Sequence, residues 1–581
     1  MKKIIFFILS VASFYLHSQN AITYVPYQGK MKEIKTKHFV VIFPDKYSAI
    51  GLKVADYAEE IHERLKEFIK WTPQTKTNVI LSDETDYPNG LANVMLRNTI
   101  VLYLSPSDLE ETLKSFNDPL YSLIVHEYTH ILHLDQIRGG AFFWRVIFGK
   151  LYHPVINTFK WYIEGVAVLS ETRNSKGGRL QSAYNRALIR EAAKNKKIPD
   201  YDKLVFPVVD FPHGDAVYHF GAKFIEYLYD TYGKEKFDEI YLKISDDFWP
   251  FVLMFNMNFK NIYGKSLKDL WAEWIKNEEI LEQNDNFETI PPNNSQLTFF
   301  EGEINDFDIK KDALLISSVS LKNDKYLYLS TDKNLKKIRN QSFRSVTFTN
   351  DEDYIVYTKA SRYFDERIYF DLYSFNLKTK KEKKLSNKER VNYVAFSKEK
   401  SVGVLVSHSP FGSKFFKASF KSGFISNKVE LIVPDDIYFI DKPTIDKNGT
   451  KSIISCKTKS GKIKIFLVDL LKNKFIEIPD LKGRNPEFLN DNEFIFINEE
   501  NGRTRIVKRN VDSGETKEIL SSIGIFKAIA SEDKIYYSKY TASGIEIFSC
   551  VTNKENEKYF ETTKKRKIPK TKSFQKAFLA T

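Results

Sequence analysis

The apolar positions of this chain follow two different periods, and the change between them divides the sequence into two parts. From residue 21 to about 286, short alternating runs that predict strands are mixed with longer runs of helical period. The predicted strands are 38–43, 77–81 and 98–104, and the predicted helices are 49–71, a segment after Asn117, and segments around 180–195, 215–232 and 266–283. The first part is therefore predicted to be an α+β domain over 21–286.

A polar stretch and a series of repeats follow this domain. Residues 287–296 are rich in Asn, Pro and Ser, which is typical of a linker. Beyond it, strand-like units recur about every 40–50 residues. The six units contain Asp308, Thr347, Ala395, Thr444, Glu487 and Ile529 at equivalent positions. Because a single four-stranded sheet cannot bury its faces without neighbours, the repeats predict a six-bladed β-propeller over 297–563, with a pair of β-sandwiches as the alternative.

Length and charge agree with a multidomain protein that does not bind nucleic acid. A chain of 581 residues is too long for one hydrophobic core. The net charge of +13 resides largely at the two ends, because Lys564–Lys576 contains seven basic and no acidic residues and Lys2 and Lys3 add two more. The rest is nearly neutral, which argues against a nucleic-acid partner. The basic tail, 564–581, is predicted to be a solvated, disordered end, with attraction to anionic lipid or lipopolysaccharide as the alternative.

The N-terminus predicts export from the cytoplasm. Two lysines precede an apolar run over Ile4–Leu16 that is too short to span a bilayer, and a small residue, Ser18, follows it. Residues 1–18 are therefore predicted to be a signal peptide cleaved near Ser18, and the protein to be periplasmic or secreted. The two cysteines, Cys456 and Cys550, lie in strand-like runs and are predicted to be buried free thiols rather than a disulfide.

The strongest chemical signal is His126-Glu127-Tyr128-Thr129-His130, which lies in the helix predicted after Asn117. Asp118 can cap this helix, Pro119 suits its first turn, and Gly139-Gly140 is expected to end it. Two histidines four residues apart lie on one helix face and can bind one Zn²⁺.

A third protein ligand has to come from elsewhere. His133 would lie about 10 Å along the helix from His126, too far for one ion, and is predicted to be a packed or outer-shell residue. Glu164 is the better candidate, because Gly165 and Ala167 beside it would let its helix approach the first one closely.

The pattern His-Glu-x-x-His with a later Glu-Gly-x-Ala resembles the gluzincin metallopeptidases, the clan of thermolysin and the aminopeptidase-N-like enzymes. The resemblance implies one zinc ion per chain on His126, His130 and Glu164, with Glu127 as the general base for the zinc-activated water that cleaves a peptide bond. It also implies an outer-shell role for Glu171, in which the carboxylate orients a histidine ligand by accepting a hydrogen bond from it. Tyr-x-x-Gly at Tyr218–Gly221 matches the tyrosine that binds the oxyanion.

Tyr218 has an equally plausible alternative as a tyrosine packed in a helix, and His213 and His219 are less favoured oxyanion donors. The whole layout resembles exported bacterial proteins in which a peptidase-MA-like domain precedes a TolB-type propeller. The aminopeptidase loop Gly-x-Met-Glu-Asn is absent, and 89–93 lies in its place. Aminopeptidase specificity is therefore not implied.

Three further expectations concern substrates and partners. The strand 98–104 is expected to pair with an extended peptide or protein substrate. The aromatic-rich segment 141–159 is expected to be a buried connector, with a lid or a membrane-contacting loop as the alternative. The propeller is expected to bind substrates or an envelope protein partner. The rival interpretations are a catalytically inactive propeller scaffold of the cell envelope and a zinc-dependent processing factor that acts on only one envelope protein.

Overall fold

The computed structural model describes residues 29–106, 118–204, 210–248, 252–283, 288–320, 324–331, 334–500 and 503–551. The predicted signal peptide, 1–18, and the predicted basic tail, 564–581, lie outside these ranges. None of the helices in the described ranges is both long and apolar enough to cross a bilayer.

The N-terminal unit begins with a five-stranded mixed sheet. Its strands are β1 (Met31–Lys35), β2 (Phe39–Pro44), β3 (Thr77–Ser82), β4 (Asn89–Asn93) and β5 (Thr99–Tyr103). Their order is β1-β2-β3-β5-β4, with β2, β3 and β5 parallel and β4 antiparallel to β5. Strand β5 therefore has a neighbour on each side, so the expectation that 98–104 pairs with a substrate is wrong. Among the strands that the structure describes, β1 and β4 are the two edge strands of this sheet, and β4 is the one beside the helix Pro119–Asp135.

Helices cover this sheet and continue beyond it. They are α1 (Ser48–Ile69), α2 (Pro119–Asp135), α3 (Gly139–Phe148), α4 (Lys160–Asn174), α5 (Ala183–Lys194), α6 (Ala216–Tyr232), α7 (Lys234–Asp246), α8 (Val252–Tyr263) and α9 (Leu267–Gln283). The predicted helices correspond to α1, α2, α5, α6 and α9. In α1, Val54, Ala58 and Ile61 recur at helical spacing and are buried, which is the pattern that predicted the helix.

Helix α2 begins as the sequence predicts and ends earlier. Asp118 accepts hydrogen bonds from the backbone N–H groups of Leu120 and Tyr121, and Pro119 occupies the first turn. The helix ends at Asp135, however, and Gly139-Gly140 starts α3 instead of ending α2. The side chain of Asp246 accepts a hydrogen bond from the Gly140 N–H at 2.9 Å and so fixes the start of α3.

Two glycines bring α4 and α6 into close contact. A Cβ atom on Gly165 would lie 2.9 Å from the backbone of Gly221, and a Cβ on Gly221 would collide with the carbonyl oxygen of Trp161. Gly165 therefore faces α6, and the expectation that it lets α4 approach α2 is wrong. The close contact of these helices carries Tyr218 on α6 towards the histidines of α2.

Replacing Gly221 with alanine is expected to destabilise the protein by about 1–3 kcal/mol, because the added methyl group overlaps backbone that cannot move independently of α4. The midpoint of thermal unfolding of the N-terminal unit measures this effect. An unchanged midpoint would show that the two helices separate without cost.

The C-terminal unit is a ring of six antiparallel sheets. Blades 1 to 3 contain β7 (Glu303–Lys310), β8 (Ala313–Ser320), β9 (Asp324–Thr331), β10 (Asn334–Arg339), β11 (Ser345–Phe348), β12 (Tyr354–Arg362), β13 (Ile368–Asn376), β14 (Glu382–Lys384), β15 (Val391–Phe396), β16 (Val402–Ser409), β17 (Gly412–Lys421) and β18 (Phe424–Leu431). Blades 4 and 5 contain β19 (Ile437–Ile440), β20 (Thr444–Ile445), β21 (Lys451–Thr458), β22 (Ile463–Asp469), β23 (Lys474–Ile478), β24 (Arg484–Phe488), β25 (Glu493–Glu500), β26 (Arg503–Asn510) and β27 (Thr516–Ser522). The predicted six-bladed propeller is confirmed.

Blade 6 joins the two ends of the ring. It contains β28 (Ile525–Ser531), β29 (Lys534–Thr541) and β30 (Gly544–Val551), and its fourth strand is β6 (Ser295–Gln296). Strand β6 lies in the stretch 287–296 that reads as a linker, and it pairs with β30. This stretch therefore contributes a strand that closes the ring. Cys456 and Cys550 are buried free thiols, as predicted.

The two units are joined by backbone and side-chain contacts. The Asp86 N–H donates to the Ile368 carbonyl at 3.0 Å, and the Ile368 N–H donates to the Glu84 carbonyl at 2.9 Å. Arg390 of the propeller forms ion pairs of 2.6 Å with both Asp83 and Asp86. Because these carboxylates are buried, losing the arginine would leave unpaired charges, and the contact is specific.

Helix α3 differs from the expected buried connector. Phe142, Phe143, Val146 and Ile147 on α3, and Leu151 just after it, are each at least half exposed. The expectation that 141–159 is buried is therefore wrong for α3. Helix α3 packs on the rest of the N-terminal unit through Ala141, which is fully buried.

Candidate metal centre

Three predicted ligands meet in one buried cluster. The Nε2 atoms of His126 and His130 lie 3.1 Å apart, and Oε2 of Glu164 lies 3.5 Å and 3.2 Å from them. Metal–ligand bonds of 2.0–2.2 Å in a tetrahedral arrangement place donor atoms about 3.3 Å apart. The donor set and its spacing therefore fit a zinc ion. The histidines come from one face of α2 because they are four residues apart, and α4 supplies the carboxylate.

The electrostatics of the cluster favour a positive charge at its centre. Burial alone would raise the pKa of Glu164, but His130 and His126 hold that pKa well below its usual range. Burial and Arg179 lower the pKa of His126, whereas Glu164 and Glu171 outweigh them and raise it to about 9. In the absence of a metal, a proton on His126 supplies the positive charge of the cluster. Metal binding at His126 therefore has to displace this proton.

Glu171 contacts the far side of His126. Its Oε2 lies 3.0 Å from Nδ1 of His126, so a proton on Nδ1 can be donated to it while Nε2 keeps its lone pair for a metal. Nδ1 also lies 2.8 Å from Nη2 of Arg179. Sequence reasoning placed Glu171 in this outer position from the resemblance alone.

Arg179 is the residue that sequence reasoning missed. Its Nε donates to Oε1 of Glu171 at 2.7 Å and its Nη2 donates to Oε2 at 2.8 Å. Its guanidinium also lies over the ring of Tyr218, 5.2 Å from the centroid. Arg179 follows α4 in a short turn and belongs to no motif, so only the folded arrangement reveals it.

Replacing Glu171 with glutamine is expected to weaken zinc binding by about 10–100-fold, because the amide neutralises the acceptor that orients His126. Glutamine keeps an oxygen that Arg179 can contact, so the fold should be retained. Competition with a zinc-sensitive dye measures the affinity. Equal affinities of the variant and the native chain would contradict the role of Glu171, and Glu191→Gln on α5 is the control.

The general-base candidate lies beside the cluster. Glu127 is buried, and burial raises the pKa of its carboxyl group even though His126 and His130 act to lower it. A Cβ atom on Gly90 of β4 would lie 2.6 Å from Oε1 of Glu127, so a larger residue here would displace the Glu127 side chain. The edge strand β4 therefore runs directly past the carboxylate.

Tyr218 and His219 line the cavity into which the cluster opens, whereas His133 and His213 do not. The ring of Tyr218 lies 6.4 Å from that of His126. His219 contacts the ring of Tyr184 and is within 3.2 Å of Asn185. His133 packs between Tyr162 and Tyr241, away from the cluster. His213 stacks edge-on with Phe211 and is not among the residues that line the cavity.

The cluster opens into a cavity of about 1150 Å³ between the N-terminal unit and the propeller. Strand β4, Glu127 and Tyr218 line one side. The propeller supplies the other side, through residues that include Glu303, Arg344, Lys359 and Phe370. The propeller is thus a wall of the candidate site, which the repeat pattern could not predict.

Glu303 is a propeller residue that lines the cavity, and the pKa of its carboxyl group is raised. Burial and the neighbouring Asp215 carboxylate raise its pKa to about 7. The folded chain therefore keeps a proton on Glu303 where the unfolded chain loses it, and stability falls as pH rises from about 4.5 to about 7, by up to about 3 kcal/mol.

Glu303→Gln is expected to remove this part of the pH dependence. The variant should unfold at a higher temperature than the native chain at pH 8 and at a similar temperature at pH 4.5. Glu352→Gln, on an exposed side chain, is the control. If the unfolding temperatures of the native chain and the Glu303 variant changed by the same amount between pH 4.5 and pH 8, the raised pKa of Glu303 would be contradicted.

The chain is similar to known proteins over only part of its length. No protein-family model matches the chain. An uncharacterized protein of Treponema pallidum (strain Nichols) is 26% identical over 253 residues, which are 43% of this chain. The chain spans only 22% of the length of that relative.

Solved propeller structures are also similar to part of the chain. TolB from Acinetobacter baumannii is 10% identical, covers 43% of this chain and 78% of its own, and has a TM-score of 0.30. The β-propeller domain of the Trilobed protease from Pyrococcus furiosus is 13% identical, covers 45% of this chain and 98% of its own, and has a TM-score of 0.31.

Proposed function

We propose that this chain is an exported zinc-dependent peptidase. The observation that carries the proposal is the spacing of three donor atoms, on His126, His130 and Glu164, with the Glu127 carboxylate in the same cavity. The N-terminal segment that predicts export supports a periplasmic or secreted location.

His126, His130 and Glu164 would hold the zinc ion, which would supply Lewis acidity towards the substrate carbonyl and the attacking water. Glu127 accepts the proton of the attacking water and passes it to the leaving amine. Burial raises the pKa of its carboxyl group, so Glu127 is a stronger base than an exposed glutamate.

Tyr218 and β4 position the substrate. The hydroxyl group of Tyr218 donates a hydrogen bond to the oxygen that becomes negative in the transition state. Strand β4 lies at an edge of the sheet among the strands in the described ranges, so an extended peptide can add to it as a further strand. Gly90 keeps this strand free of a side chain beside Glu127, which leaves room for the scissile bond.

The propeller limits what reaches the site. Because it forms a wall of the cavity, a folded domain cannot approach Glu127 as closely as an extended peptide can. The propeller thus acts as a binding and gating module, and an envelope protein partner that contacts it can alter access.

Digestion of a peptide library tests the proposal. The purified chain is incubated with the library alone, with a chelator, and with a chelator followed by added Zn²⁺. Cleavage that chelation abolishes and zinc restores is expected. One zinc per chain without any cleavage would contradict a peptidase of broad specificity and favour the inactive scaffold or an enzyme that acts on one envelope protein.

A further inference from the structure

An apolar surface surrounds α3, and we call it the α3 surface. It consists of Leu96, Phe142, Phe143, Val146, Ile147, Leu151 and Phe248. Val146 is 69% exposed and Leu96 is 70% exposed. These residues are contiguous, because the Leu96 N–H donates to the Lys150 carbonyl at 3.4 Å and the ring of Phe143 lies 5.8 Å from that of Phe248.

The apolar side chains of α3 lie on one outward face. Positions 142 and 143, then 146 and 147, recur at helical spacing, and 151 extends the series. Trp144 is partly buried, and its Nε1 donates to the carbonyl of Phe248 at 2.8 Å. Soluble proteins rarely expose this many large apolar residues together without a partner.

The charges around the α3 surface are predominantly positive. From residue 136 to 163 the chain contains no Asp or Glu. Arg97, beside Leu96, and Arg138, just before α3, are both exposed. Arg145 and Lys150 pair with the buried Asp135, and the nearby Asp246 lies 3.8 Å from Lys243. An apolar centre with a basic rim complements an anionic lipid surface.

We propose that the α3 surface docks the protein on a lipid bilayer that contains anionic lipids. Helix α3 lies in the plane of the interface, with its phenylalanine and aliphatic side chains among the upper acyl chains. Arg97 extends towards the headgroups, and Arg138, whose Nη2 donates to the Lys70 carbonyl at 2.8 Å, adds positive charge at the start of α3. Helix α3 follows α2 after three residues, so docking holds the candidate metal centre near the membrane surface. This proposal does not depend on peptidase activity.

A local fluorescent label tests the contact directly. Cys456 and Cys550 are buried, so a cysteine introduced as Val146→Cys can be labelled selectively with an environment-sensitive dye. The full chain is mixed with vesicles of phosphatidylglycerol and phosphatidylethanolamine. A blue shift at position 146 is expected, and it should persist in 0.5 M salt, which screens attraction of the basic tail. Leu471→Cys, at a propeller position that is 71% exposed, should show no shift.

Vesicle flotation gives the second test. Phe143→Ser with Val146→Ser is expected to lower the partition coefficient at least about tenfold, because two apolar side chains no longer enter the bilayer. Ile432→Ser with Leu471→Ser, at exposed positions on the propeller, should change it less than twofold. An unshifted label at 146, or equal flotation of all variants, would overturn the proposal. A lipid-free dimer that the α3 substitutions dissociate would also overturn it and assign the surface to a second copy.

Discussion

Replacing Glu127 with glutamine is expected to lower peptide turnover by about 10²–10⁴-fold while leaving the zinc content of the chain unchanged. Glutamine has the size of glutamate and can still contact Gly90, but it cannot accept a proton from water. Glu127 is outside the set of three proposed ligands, so zinc affinity has no reason to fall. The measurement is kcat/KM for a cleaved peptide, together with zinc per chain.

A matched substitution separates this effect from the loss of any buried carboxylate. Glu278 on α9 is also buried, and it accepts a hydrogen bond from Nε1 of Trp274 at 3.1 Å. Glu278→Gln should leave turnover within about twofold of the native value. Retained turnover in Glu127→Gln would remove Glu127 from the mechanism.

The second large effect is expected for Glu164→Ala, which removes one of the three donor atoms. Zinc affinity should fall by more than the 10–100-fold that is typical of outer-shell partners, and activity should be lost with the metal. The two histidines that remain still lie on one face of α2, so weak binding at high zinc concentration is expected. Dye competition and metal analysis after dialysis measure both effects.

Two controls test whether the losses in Glu164→Ala result from the missing ligand. Glu191→Ala removes another buried glutamate from the N-terminal unit, and its zinc content should stay at one per chain. Adding excess zinc to Glu164→Ala should restore part of the activity if the loss is due to weak binding. Native zinc content in Glu164→Ala would show that this carboxylate is not a ligand.

Local patterns predicted the parts of the site that depend on neighbouring residues. His126 and His130 are four residues apart, so any helix that contains both brings their rings together. Asp118 as a cap and Pro119 in the first turn allowed that helix to be predicted. The propeller was predictable for a similar reason, because each blade repeats the same order of apolar strands. These features need no knowledge of the rest of the chain.

Features that depend on distant partners could not be predicted. Gly165 contacts Gly221 on α6, and no local pattern distinguishes this from contact with α2. The edge position of β4 follows from the order in which strands pair, which the strand sequences do not specify. The role of Arg179 could not be predicted, because it depends on contacts with Glu171, His126 and Tyr218 that only the fold brings together. Apolar residues on α3 look like core residues in sequence, and only the fold shows their exposure.

The central claim is that two imidazoles and one carboxylate bind a single zinc ion, and zinc X-ray absorption spectroscopy of the purified chain tests it most directly. The account predicts one zinc per chain, two imidazole nitrogens and oxygen donors at about 2.0–2.2 Å, and no sulfur. The imidazole signal should be lost in a His126→Ala, His130→Ala variant. A zinc-free chain, or a zinc ion whose coordination is unchanged in that variant, would contradict the account.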